Sequence, residues 1–127
     1  GDPTNIICRS LWERKIRKYL DTNENILRWG SEEISIQYIS PMDNRVHRYY
    51  PDFIVEALSP FGKKKTKVIE VKPYKQTIVP EKGKKRKKTY INEVTTYMVN
   101  EAKWIAARKF CEKRDWEFVI LTEKELF

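Results

Sequence analysis

The sequence predicts an α/β (α+β) domain of order α-β-β-β-α-β, in which a three-strand antiparallel meander is joined by a further, parallel strand. Three observations carry that expectation. Apolar residues alternate with polar ones at Ile34, Ile36 and Tyr38, from Val46 to Glu56, and from Thr66 to Lys72, as in half-buried strands. Residues spaced at helical period flank this block on both sides. The later helical stretch separates the third strand from a last apolar run by about 25 residues, room for the crossover that a parallel pair requires.

Taking the elements in order, Gly1 to Arg9 reads as an irregular lead-in. Ser10-Leu11-Trp12-Glu13 has the form of a capping box, in which a hydroxyl and a carboxylate satisfy the first free amides of a helix. Trp12, Ile16, Tyr19 and Leu20 follow at helical spacing, and the Asp and Asn residues between Asp21 and Asn25 end the helix. A short extended piece, Ile26 to Trp29, precedes the first meander strand. Ser40-Pro41-Met42-Asp43-Asn44 is a hairpin turn into the second strand, Val46 to Glu56, and Ser59-Pro60-Phe61-Gly62 is the next turn. The third strand stops at Pro73, which has no amide for the ladder. Pro73 to Lys88, with two prolines and a glycine, reads as a mobile loop within a single domain, 1–127. The second helix is expected from Thr89 to Lys113, with Ile91, Val94, Met98, Ala102 and Ile105 as its buried stripe and Asn92, Thr96, Asn100 and Lys103 on another face. Glu117 to Leu121 is the last strand.

Charge narrows the function. Lys and Arg number 26 against 18 Asp and Glu, a net +8. Between Lys63 and Lys88 there are 12 basic and 2 acidic residues, a local +10, which leaves −2 for the rest of the chain. A concentrated positive field on a nearly neutral body suits a polyanion. Nucleic acid fits better than a membrane surface, because no basic amphipathic helix accompanies the run. Lys75 and the run Lys82, Lys84, Lys85, Arg86, Lys87 and Lys88 are the expected DNA contacts. A nuclear localisation signal would have the same composition, but a run inside the domain and next to a candidate site favours DNA. Cys8 and Cys111 have no metal-ligand spacing and are expected as reduced thiols. No apolar stretch approaches the roughly 20 residues of a membrane span and no signal peptide opens the chain, so a soluble intracellular protein is expected.

The candidate chemistry lies on two strands. Tyr50-Pro51-Asp52-Phe53 puts an acid at the start of one apolar run, and Glu70-Val71-Lys72 ends the next with a carboxylate and an ammonium on one face. Asp52 and Glu70 together form an oxygen-rich site for a hard divalent cation, Mg²⁺, with Mn²⁺ as a substitute. Such a cation activates water and stabilises a phosphoryl transition state while Lys72 orients water or neutralises charge. Singly, each residue has a plain structural reading: Asp52 as a turn acid, Glu70 and Lys72 as a chance pair, Glu13 as a helix cap. The combination, beside a basic loop, favours a phosphodiesterase. Glu56 reads as a surface or salt-bridged residue, His47 as a surface residue of the hairpin or a contact to DNA, and Asn100 and Lys103 as solvated or facing the site.

These residues resemble the PD-(D/E)xK nuclease superfamily. More closely, Arg9-Ser10-Leu11-Trp12-Glu13, Arg48-Tyr49-Tyr50-Pro51-Asp52-Phe53, Glu70-Val71-Lys72-Pro73-Tyr74-Lys75-Gln76-Thr77, and Asn92-Glu93 with Tyr97, Asn100 and Lys103-Trp104 resemble the head completion nucleases of large contractile-tailed phages. Those nucleases are in turn similar to the TnsA endonuclease subunit of heteromeric transposases. The resemblance implies an Mg²⁺-dependent endonuclease acting on double-stranded DNA as a filled phage head is prepared for its tail, in the virion or the host cytoplasm, with head or neck proteins as possible partners. It implies Glu13 as a helix acid of the site and a metal ligand, Asp52 and Glu70 as metal ligands, and Lys72 as the catalytic lysine. In the transposase subunit the position of Glu70 is a glutamine, whereas this chain keeps the carboxylate. The alternatives are a non-catalytic DNA-binding or neck-structural protein and a transposase-type subunit that needs a partner.

Overall fold

The computed structural model describes residues 3–126, with side chains from residue 11 onward. Its first helix, α1 (Pro3–Thr22), starts well before the expected capping box. Proline at the first helical position gives up no bonded amide, and its fixed φ suits the helix. Ser10 and Glu13 therefore lie in the helix interior, and capping no longer accounts for Glu13. Gly1 and Asp2, the first two residues of the expected lead-in, lie outside the described residues. α1 buries Ile16 and Leu20 with Trp12 partly covered, while Tyr19, expected in the same stripe, is exposed.

Six strands follow: β1 (Ile26–Ser31), β2 (Ile36–Ile39), β3 (Val46–Tyr49), β4 (Phe53–Leu58), β5 (Lys64–Val71) and, after a long helix α2 (Lys87–Glu112), β6 (Glu117–Leu121). A short helix α3 (Glu123–Leu126) closes the described chain. The main sheet has the order β1-β4-β5-β6, with β1, β4 and β5 antiparallel and β6 parallel to β5. The meander therefore uses the short piece at Ile26 as its first strand. The strand expected at Ile34 to Tyr38 belongs instead to a separate β2-β3 hairpin.

The single strand expected from Val46 to Glu56 is broken at Tyr50-Pro51-Asp52. Pro51 has no N–H and cannot continue a central ladder, so the chain leaves the hairpin there and enters the main sheet at Phe53. Turns hold the strands in register. Asn44 at φ 56° completes the β2-β3 turn, and Gly62 at φ 77°, where a side chain would be strained, donates its amide to the Ser59 carbonyl at 2.9 Å.

The sheet carries a core on each face. Phe53, Val55, Ile69 and Val71 pack against Ile16 and Leu20 of α1. On the other side Trp104 and Ala107 of α2 pack with Ile36, Tyr38 and Tyr49 of the hairpin and with Phe118 and Ile120 of β6. The buried stripe of α2 is Asn100, Trp104, Ala107 and Cys111, whereas Ile91, Met98 and Ile105 are exposed. Val94 and Ala102 of the expected stripe are partly covered, Ala102 against the Trp104 cluster, but the other three positions face outward, because burying the indole of Trp104 removes more apolar surface than any of those aliphatic chains. α3 was not legible as a separate element, although Thr122 and Glu125 make the reciprocal capping bonds for which Ser10 and Glu13 seemed suited.

Candidate active site

β4 and β5 pair with Phe53 opposite Ile69, and continuing that register by one residue sets Asp52 opposite Glu70. By the alternation of a strand, Asp52, Glu70 and Lys72 share the sheet face away from α1. The break at Pro51 is what frees Asp52 from the ladder. Its carboxylate Oδ2 accepts the backbone N–H of Val71 at 2.8 Å, and its own carbonyl accepts the amide of Glu32 at 3.2 Å. Asp52 and Glu70 are both buried, at 5% and 3% exposure, so these acids are held by the fold and do not sample solvent freely.

Each oxygen of Glu70 has a distinct neighbour. Oε2 accepts the hydroxyl of Tyr49, and Oε1 lies 3.6 Å from Nζ of Lys72. Burial, and then the charges of Glu70 and Asp52, push the pKa of Tyr49 well above that of a free phenol. The hydroxyl therefore stays protonated and acts as a donor. Trp104 packs in the same cluster as Tyr49, and its buried indole lies near enough to the Tyr49 hydroxyl to oppose part of that upward shift, short of a well-formed hydrogen bond. Lys103 sets its ammonium 5.7 Å from the ring centre of Tyr49 and 5.9 Å from that of Tyr38.

Among the described residues, no three His, Cys, Asp or Glu side chains converge as a metal-holding group. The carboxylates that the fold brings together are the pair Asp52 and Glu70, and Glu13 on α1 does not complete a triad with them. A pair of buried oxygen donors still fits Mg²⁺, which keeps several waters and needs only one or two protein carboxylates.

Of the other expected residues, Lys75, Lys82, Lys84, Lys85, Arg86, Lys87 and Lys88 are all exposed. Lys85 is tied to Glu93 at 2.7 Å. Glu56 is held by Arg28 at 2.5 Å and Lys64 at 3.2 Å, which brings its pKa down to about 2. His47 sits on the hairpin, 2.8 Å from Asp43. Asn100 is buried in α2, one turn from Trp104. Cys111 is a free, buried thiol, and the side chain of Cys8 lies outside the described residues. The sequence reading missed Tyr49. The available signal was a tyrosine alternating inward on a strand, whose buried hydroxyl must find an acceptor.

Comparison with known proteins gives the family. Residues 23–123 match the family model described as TnsA-like endonuclease N terminal. The chain is 39% identical over 130 aligned residues to the head completion nuclease of Enterobacteria phage T4, an alignment that covers 99% of this chain and 84% of that protein. No solved structure matches the chain.

Proposed function

The chain belongs to the family of TnsA-like endonucleases, and from that premise we propose that it is a Mg²⁺-dependent DNA endonuclease of phage head completion with a PD-(D/E)xK-type site. The reading rests most on one observation: Asp52 and Glu70 stand opposite each other at a strand break, with Lys72 beside Glu70 on the same face. Two acids buried at the ends of neighbouring strands, with a partly exposed ammonium 3.6 Å from one of them, are costly to hold for the fold alone.

In this reading Asp52 and Glu70 hold Mg²⁺, and Mn²⁺ substitutes for it. When bound, the ion supplies Lewis acidity toward a phosphate oxygen and makes water a better nucleophile. The protein's own groups fix that arrangement in advance. The Val71 amide orients the Asp52 carboxylate and the Tyr49 hydroxyl orients Glu70. Lys72, with its side chain 18% exposed, presents positive charge to a phosphate or to the attacking water. Lys75 and the exposed lysines and arginine from Lys82 to Lys88 contact the phosphates of double-stranded DNA. Glu13, inside α1 and outside the carboxylate pair, supports the site without being assigned as a ligand. No helix among the described residues is long and apolar enough to cross a membrane. The enzyme would act in the virion or the host cytoplasm, with head or neck proteins as its neighbours.

Nicking of supercoiled plasmid, with Mg²⁺ against EDTA and wild type against Lys72→Ala, tests the reading. Mg²⁺-dependent conversion to the open circle that is lost in the variant is the expected result. Equal cutting by both proteins, or cutting that survives EDTA, rules out this assignment. Wild-type activity with no added protein also sets aside the alternative of a subunit that cuts only beside a partner.

A further inference from the structure

The chain that leaves the candidate site after Lys72 and the N-terminal part of α2 form the walls of a second feature. Lys72 leads through Pro73 to a 3-10 turn at Tyr74–Gln76. That turn is pinned to α3 by the Tyr74 amide, which donates to Glu123 at 2.7 Å, and by the ammonium of Lys124, 3.4 Å from the centre of the Tyr74 ring. On the opposite side, Thr96 lies two turns before Trp104 on α2, about 12 Å along the axis. Between these walls runs a half-open groove of about 740 Å³, lined by Lys75, Ile78, Val79, Asn92, Thr96 and Tyr97 among others. Lys85 holds its rim closed, donating to Glu93 at 2.7 Å and to the carbonyl of Glu81 at 3.1 Å.

The lining is mixed in a particular way. Ile78 and Val79 are 46% and 68% exposed, and they share the groove with the Tyr97 ring, the Asn92 and Gln76 amides, the Lys75 cation, the Lys85–Glu93 ion pair and Glu81. Duplex DNA offers an outside surface of phosphates, sugars and base edges, with the flat faces of its bases hidden in the stack. Unpaired nucleotides expose those faces and stack on aromatic and apolar side chains, while cations follow the backbone. The volume, within the roughly 300–1,000 Å³ of sites for small ligands, admits a nucleotide or two and excludes a duplex.

We propose that this groove receives unpaired nucleotides of the DNA strand next to the cleavage point, so that the substrate is duplex DNA bearing a gap, branch or frayed segment. The inference rests on the reading of Asp52, Glu70 and Lys72 as the cleavage site, from which the chain runs through Pro73 and the Tyr74–Gln76 turn into the groove wall. The groove lining itself is balanced in charge, and the exposed run Lys82, Lys84, Arg86, Lys87 and Lys88 beside it draws the strand in, while the Tyr97 ring with Ile78 and Val79 holds a base.

The test has two arms. Binding of a fluorescein-labelled thymidine hexanucleotide, followed by anisotropy in EDTA at low salt, requires no chemistry. Cutting in Mg²⁺ compares a gapped duplex with an intact duplex of the same sequence. The expected result is hexamer binding weakened at least tenfold by Thr96→Trp, which fills the groove from an exposed position, and by Tyr97→Leu, which removes the ring. Wild type is expected to cut the gapped duplex at least tenfold more efficiently, a ratio that collapses in both variants. Unchanged hexamer binding in the two variants overturns the inference, as does a gapped-to-intact ratio near one for wild type. If no substrate is cut, the catalytic reading fails, while the binding arm still decides the groove.

Discussion

The hydroxyl of Tyr49 donates to the carboxylate of Glu70 across two separate sheets. Tyr49 ends the β2-β3 hairpin and Glu70 lies near the end of β5, so this bond couples the hairpin to the centre of the candidate site. Both groups are nearly inaccessible, at 5% and 3% exposure. In such surroundings a missing partner is costly and a satisfied one fixes geometry.

Tyr49→Phe keeps the ring in its cluster and removes the donor. The expected outcome is a shift of half-saturating Mg²⁺ to about 10–100-fold higher concentration, as is typical when the supporting partner of a metal ligand is lost. The rate should recover at high Mg²⁺, and the unfolding free energy should fall by about 1–3 kcal/mol for the unsatisfied buried acceptor. A Mg²⁺ titration indistinguishable from wild type would remove Tyr49 from any positioning role.

Asp52→Asn and Asp52→Ala should separate chemistry from folding. The Asn amide oxygen still accepts the Val71 N–H, so Asn is expected to lose activity by at least about 100-fold, roughly 3 kcal/mol of barrier, with little change in melting temperature. Ala also strands that buried amide and should cost a further ~1–3 kcal/mol of stability. Comparable melting of the two variants would mean that the Asp52 bond to Val71 adds nothing to the fold.

Glu13→Gln tests a residue whose neighbourhood the fold changed. Glu and Gln have similar helix propensity, so the melting temperature should stay put. With Asp52 and Glu70 as the ligand pair, activity should fall less than about tenfold, well short of the loss expected for Asp52→Asn. A loss matching that of Asp52→Asn across a Mg²⁺ titration would make Glu13 a third essential carboxylate.

Replacing Lys82, Lys84, Lys87 and Lys88 with Ser, and leaving Lys85 on Glu93, should flatten the dependence of log affinity for duplex DNA on log salt. The slope should change by about 3 to 4 if all four meet phosphates. Cutting at saturating DNA should persist, because these side chains add binding energy that ground and transition states share. An unchanged slope would place the run against something other than DNA.

Burial pushes the Cys111 thiol up to about 11 from its ordinary value of 9.0. Between those values the unfolded chain has released the proton that the folded chain still holds, so stability falls as pH rises. The contribution is fully present below about pH 9 and is gone above about pH 11. Melting temperatures of wild type and Cys111→Ala across that window should converge as pH rises, with Ala less stable at neutral pH because it leaves a small cavity. A constant difference would show that the thiol titrates alike in both states.

Much of this protein is legible in its sequence because the signals are local. Residue alternation marked the strand segments, Pro73 marked the end of β5, and the spacing before Glu117 indicated that β6 could lie parallel to β5. The Pro-Asp and Glu-x-Lys segments named the residues that register and parity then set on one face. What only the tertiary structure decided depends on which surfaces compete for burial. The rotation of α2 follows Trp104, since the largest apolar side chain dominates the choice of face, and a count of apolar positions along the helix cannot weigh that. The break at Pro51 divides an apparently continuous strand between two sheets, and no alternation pattern records which partner each half will find. The partnership of Tyr49 with Glu70 arises from that division, as does the placing of Asp52 at the head of β4. Pairing between segments distant in sequence is fixed by the whole set of contacts at once, and that set exists only in the folded chain.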